Sequence, residues 1–112
     1  MEIKPAAQIQ NVAPVVVYET FDQIQTYFQN VDWTNSTIDG FKHKDEKVRI
    51  TLEKDGKYID IKCKGLTKFS FQLVMEDLEI RRLFIKQKEE GIKLRVGPIK
   101  VMAQSIKVIQ RV

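Results

Sequence analysis

The chain predicts an α+β domain: one N-terminal amphipathic helix packed on a curled antiparallel β-meander of about six or seven strands. Three observations carry that reading. Glu46 to Lys64 alternates apolar and polar residues about an Asp55-Gly56 pair. Thr20 to Val31 opens with a helix-start signature and continues with helical apolar spacing. The C-terminal third alternates again about Glu90-Gly91.

The hairpin is the strongest element. Asp55-Gly56 suits a two-residue type I′ turn, whose central positions both need φ > 0. Folding the chain there sets Leu52 against Ile59, Ile50 against Ile61 and Val48 against Cys63. The other face then pairs Glu53 with Tyr58, Thr51 with Asp60, Arg49 with Lys62 and Lys47 with Lys64. One face is apolar, as a half-buried antiparallel sheet requires. The other is basic, and its directly opposed like charges are mildly destabilising.

The remaining elements follow in chain order. Met1 to Pro14 has two prolines and weak periodicity, and reads as a mobile arm or an edge segment. Val15 to Tyr18 is a short strand. Thr20 and Gln23 have the capping-box spacing, and Phe21, Ile24, Phe28 and Val31 fall on one helical stripe. Ile38 to Lys44 is a first sheet strand, with Phe41 on one side and Lys42 and Lys44 on the other. Gly65 ends the hairpin, and Phe69 to Leu73 alternates as a new strand.

Met75 to Lys88 fits helix or strand; strand is preferred because a Glu90-Gly91 turn gives a second amphipathic hairpin. That turn sets Ile85 against Val96, Gln87 against Leu94, Lys86 against Arg95 and Lys88 against Lys93. Gly97-Pro98 marks a bend, and Ile99 to Arg111 supplies one or two last strands.

The 112 residues suit a single domain, 1–112, and a hydrophobic content of 43% is enough for one core. A net charge of +4 permits an acidic partner without demanding one. Cys63 is the only cysteine, which excludes an intramolecular disulfide and fits a reducing compartment. No apolar run approaches the roughly 20 residues of a membrane span, and the N-terminus does not resemble a signal peptide. A cytoplasmic protein without a membrane role is expected.

Catalytic and metal chemistry find little support. His43 lies between Lys42 and Lys44, which oppose its protonation, and it reads as a surface histidine. Strand alternation separates Cys63 from Lys62 and Lys64, so it reads as a core residue and not an activated nucleophile. Asp45-Glu46, Glu76-Asp77 and Glu89-Glu90 lack a metal-loop pattern. No phosphate-binding loop is present. The expectation is a non-enzyme with no catalytic, cofactor or metal residues. Trp33 either caps the core or anchors a partner.

The feature that stands out is the basic sheet face: Lys47, Arg49, Lys62, Lys64, Lys86, Lys88, Lys93 and Arg95, interrupted by Glu53 and Asp60. The residues taken as partner-binding are Arg49, Tyr58, Lys62, Lys64, Lys86, Lys88, Lys93 and Arg95. An acidic protein surface needs only charge complementarity from them. Single-stranded nucleic acid also needs exposed aromatics for stacking, and here only Tyr58 and Phe84 offer themselves. A plain solvated face, with lysines guarding sheet edges, explains the same pattern.

Asn35 to Phe69 resembles small bacterial immunity proteins of polymorphic toxin systems. The likeness lies in Asn35-Ser36-Thr37-Ile38 leading into a strand, and in the alternating strands Val48 to Leu52 and Ile59 to Cys63. Gly65-Leu66 before an aromatic strand at Phe69, and further strands after Glu90-Gly91, complete it. No histidine-aspartate pair opens the first strand, unlike the usual pattern. The resemblance implies a non-catalytic protein that occludes a toxin's surface, and it assigns no residue a role. The expected function is therefore protein–protein binding, with nucleic-acid binding as the alternative and the oligomeric state open.

Overall fold

The Asp55-Gly56 hairpin forms in the expected register, with Leu52 opposite Ile59 and Val48 opposite Cys63. Both turn residues take positive φ, 54° and 78°, as a type I′ turn requires. The computed structural model describes residues 15–71, 80 and 82–111. Seven strands and one helix are present among them. They are β1 (Val15–Tyr18), α1 (Phe21–Asn30), β2 (Ser36–Lys44), β3 (Lys47–Lys54), β4 (Lys57–Phe71), β5 (Leu83–Lys88), β6 (Gly91–Val96) and β7 (Ile99–Arg111). The protein is broadly α+β, mostly antiparallel sheet with one short helix.

The strand order is β2-β3-β4-β7-β6-β5, with β1 also paired to β7. This is not the single meander that the sequence suggests. Two three-stranded meanders are joined where β7 pairs along β4. The long strands make the join possible: β4 has 15 residues and β7 has 13. On its other side β7 is shared, with β6 against Ile99–Ala103 and β1 against Val108–Arg111. Ahead of β5, the Ile80 N–H donates to Ser36 O of β2 at 3.0 Å.

One local device lets the two meanders share a core. Along β4 the core positions are Ile59, Ile61 and Cys63, then Leu66. Along β7 they are Ile99, Val101 and Ala103, then Ile106 and Val108. Both strands change phase by one residue at the same level. A strand keeping strict period two would send the side chains beyond this level, such as Leu66 on β4 and Ile106 and Val108 on β7, to the outer face. Gly65 permits the change. Its φ is 70°, and a Cβ there would stand 2.8 Å from the Gln104 side chain. The expected break at Gly65 is thus a change of phase inside one strand. Of the predicted strand Phe69 to Leu73, residues 69–71 belong to β4 and the rest lies outside the described residues.

The helix starts as its sequence indicates. Gln23 N–H donates to Thr20 Oγ1, and Thr20 N–H donates to Gln23 Oε1, both at 3.2 Å. Ile24 and Phe28 are buried, and α1 packs on β5 and β7. Trp33 joins the core edge: its Nε1 donates to Phe28 O at 2.9 Å, and it meets Phe28 and Tyr27 edge-on. Tyr18 stacks on Tyr27 at 4.3 Å, and burial with the nearby Tyr18 pushes the Tyr27 hydroxyl up to about 12.

The second hairpin needs a correction. Residues 83–88 are strand, while 75–79 and 81 lie outside the described residues. The turn is Glu89-Glu90, so Ile85 faces Leu94, Lys86 faces Lys93 and Lys88 faces Gly91. Gly91 is required elsewhere than in the turn. A Cβ on it would stand 2.6 Å from Ala103 O, so β7 approaches too closely for any side chain. The offset is two positions, which preserves the apolar and polar faces. The proposed arm, residues 1–14, also lies outside the described residues.

Candidate docking surface

The core beneath the β2-β3-β4 region dictates what stands on its outer face. Val48, Ile50, Leu52, Ile59, Ile61 and Cys63 all point inward and are buried. Alternation then sends Lys47, Arg49, Lys62 and Lys64 outward. β2 joins them through an irregularity: Ile38 faces Leu52 and Gly40 faces Thr51, leaving Asp39 as an extra residue. That bulge keeps Ile38 and Phe41 on the core side and turns Lys42 and Lys44 out. The Asp45-Glu46 turn closes this end, with Asp45 at φ 56°. Leu66 N–H donates to Glu46 O at 3.1 Å and ties the turn to β4.

The registers assemble two cationic rungs. In the first, Lys42 faces Arg49, Arg49 faces Lys62, and Lys62 faces Lys107. In the second, Lys44 faces Lys47, Lys47 faces Lys64, and Lys64 faces Ser105. Strands lie about 4.8 Å apart, so four cations cross roughly 14 Å, with the second rung about 7 Å away along the strands. None of the seven has an ion-pair partner among the described residues. Lys42, Lys44, Lys47, Arg49, Lys62 and Lys64 line one shallow groove of about 330 Å³. Glu19, at the end of β1, is the carboxylate that borders the neighbouring groove with Lys62, Lys64 and Lys107.

The same outer face is different at its other end. Asp60 is buried although it points outward from the core. Arg111 Nε lies 3.1 Å from Asp60 Oδ2, Arg111 Nη2 donates to Oδ1 at 3.2 Å, and Thr51 Oγ1 donates to Oδ1 at 2.8 Å. The Arg111 guanidinium also lies 5.3 Å from the Tyr58 ring centre. Tyr58 is 39% exposed, but this cation occupies one side of its ring.

The predicted partner-binding residues therefore separate. Arg49, Lys62 and Lys64 stand together on the rungs. Tyr58 sits at the compensated end. Lys86 lies 5.5 Å from the Phe84 ring centre, so the second aromatic is also engaged by a cation. Arg95 Nε donates to Gly97 O at 2.9 Å and braces the β6–β7 turn. Lys88 and Lys93 line a separate groove with Lys68, Ser70, Lys100, Val101 and Met102.

Lys42, Lys44, Lys47 and Lys107 complete the rungs; Lys47 belongs to the sequence-read basic face but not to the predicted partner-binding set, and the other three belong to neither. The Asp45-Glu46 turn carries a signal for the first two, since mirroring the chain about it pairs Lys44 with Lys47. Lys107 carries none, because its place depends on the long-range pairing of β7 with β4.

Other chemistry is sparse. Cys63 is 1% exposed, and burial pushes its thiol up to about 12, so no thiolate forms near neutral pH. His43 Nε2 lies 3.0 Å from Asp45 O. Among the described residues no group of three or more His, Cys, Asp or Glu is placed to hold a metal ion. No described helix is long and apolar enough to cross a membrane. No family model, curated protein or solved structure matches the chain.

Proposed function

We propose that this protein acts by binding another protein, setting its two cationic rungs against an acidic surface without catalysing a reaction. The supporting observation is the density of uncompensated charge: seven cations on four adjacent strands. Directly opposed like charges destabilise a sheet by a few tenths of a kcal/mol or more per pair. A face maintained only for solubility has no need of that arrangement and is better served by mixed signs. A partner's carboxylates convert the repulsion into complementarity and speed encounter.

In the immunity-type form of this proposal the partner is a toxin, and the sheet face blocks its active or substrate-binding surface. In this reading the antiparallel sheet, packed on α1, is a preformed support, so binding needs little rearrangement.

Nucleic acid is the alternative, since phosphates suit the same rungs. Stacking is its weak point: Tyr58 and Phe84 each have a cation over the ring. Fluorescence polarisation with labelled single-stranded RNA and DNA, at low and physiological salt, separates the readings. The protein proposal expects no binding at physiological salt. It also expects nuclease-treated native lysate to yield an acidic protein that wild type retains and Arg49→Glu/Lys62→Glu does not. Tight, steeply salt-dependent RNA or DNA binding, or partner capture indifferent to the double reversal, overturns it.

A further inference from the structure

The groove on the other meander has a different construction from the rungs. Its centre is Met102, which alternation places on the outer face of β7. It lies in register between Lys68 of β4 and Lys93 of β6. An outward-facing methionine is ordinarily open to water, yet this one is 9% exposed. Lys88 and Lys100 complete the surround, with Ser70 and Val101. The hollow measures about 630 Å³, within the roughly 300–1,000 Å³ range of small-molecule sites. Thr67 stands as an extra residue between Leu66 and Lys68, and its Oγ1 donates to Met102 O at 3.3 Å. This bulge sets Lys68 opposite Met102.

We propose that this groove binds a small amphipathic carboxylate, an aliphatic chain ending in a –COO⁻ group. The chain would lie along the lysine stems above the nearly buried Met102, with the carboxylate among the four ammonium groups. Long lysine stems cover apolar ligand while their charged ends stay at the rim. Methionine suits such a floor because its flexible thioether adapts to different chains. A bare inorganic anion leaves the apolar lysine stems that line the hollow uncovered. A neutral apolar molecule leaves four cations without a counter-charge. Only a ligand with both parts uses both features. None of the four lysines has an ion-pair partner among the described residues. This site is independent of the protein-docking proposal, because the rungs and the groove share no residue.

The test is an amide-resolved NMR titration of the full chain with octanoate below its micelle concentration. Acetate and 1-octanol serve as controls for head and chain. The expected result is a saturable shift centred on residues 68–70, 93 and 100–102, with octanoate binding tighter than either control. Lys68→Gln and Lys93→Gln should each weaken it about two- to fivefold, the effect of one partly exposed charge contact. Lys62→Gln, on the rungs, should leave it unchanged. Three outcomes overturn the proposal: no saturable shift, equal effects from acetate and octanoate, or shifts centred on Lys42, Arg49 and Lys62. Lys68 is exposed and Lys93 half-buried, so unaltered shifts elsewhere in each variant's spectrum confirm that the fold is retained.

Discussion

The outer face of β2, β3, β4 and β7 changes character halfway along its length. Toward the Asp55-Gly56 turn, the buried carboxylate of Asp60 is answered by Arg111 and Thr51. Toward the Asp45-Glu46 turn, seven cations are answered by nothing among the described residues. The same four strands support both ends, but only the first buries a charged group, Asp60, and only there does the face supply its counter-charge. The compensated end closes charges on themselves and serves the fold. The cationic end leaves them unmatched among the described residues, as the proposed docking role requires. Location on a basic sheet face is therefore a poorer guide to function than whether each charge is already satisfied.

The largest way to break this comparison is to remove the compensation. Asp60→Ala leaves the Arg111 guanidinium beside a half-dry position with no acceptor and strands the Thr51 hydroxyl. Loss of a charge-assisted contact in a buried site costs about 2–3 kcal/mol; the upper figures for fully buried pairs do not apply, because Arg111 is half-exposed. Urea denaturation should show that loss. A change below about 0.5 kcal/mol would mean the two ends do not differ energetically.

A somewhat smaller effect lies beneath the cationic end. The folded Cys63 thiol keeps its proton up to about pH 12, whereas the unfolded chain releases it near pH 9. Between those values the unfolded state binds fewer protons, so stability falls as pH rises, by up to about 1.4 kcal/mol per unit for this group. Cys63→Val removes that contribution. The wild-type minus variant stability should decline from pH 9 to pH 11. A difference that stays flat would show that the thiol is not held in a dry core.

Much of this architecture is legible without coordinates, and the limits have physical causes. The Asp55-Gly56 hairpin is local, so turn chemistry and period-two alternation determine every one of its pairs. The capping box of α1 is equally local. The register around Glu89-Glu90 is not, because Gly91 is needed where β7 passes rather than where the chain reverses. The phase change at Gly65 and Gln104 is hidden for the same reason: it satisfies two strands at once, and neither shows it alone. The rungs follow this division. Arg49, Lys62 and Lys64 come from the local hairpin, whereas Lys107 enters only through the β4–β7 pairing. The Met102 groove draws on three strands and has no local signature.

The smallest effect gives the sharpest test of the comparison. Lys62 has Arg49 on one side and Lys107 on the other, so Lys62→Glu turns two repulsions into two attractions. Each cross-strand exchange contributes about 0.2–1 kcal/mol, so the variant should be more stable than wild type by about 0.5–1 kcal/mol in low salt. Salt gives the sign a second reading. Screening relieves repulsion in wild type, so added salt should raise its stability slightly; in the variant it weakens new attractions, so the trend should flatten or reverse. A mutation that stabilises the fold while slowing association with an acidic partner would show that the cationic end is maintained against the interest of stability. If Lys62→Glu instead destabilised the protein at every salt concentration, the rung would be a structural element. The distinction between a face closed on itself and a face left open would then collapse.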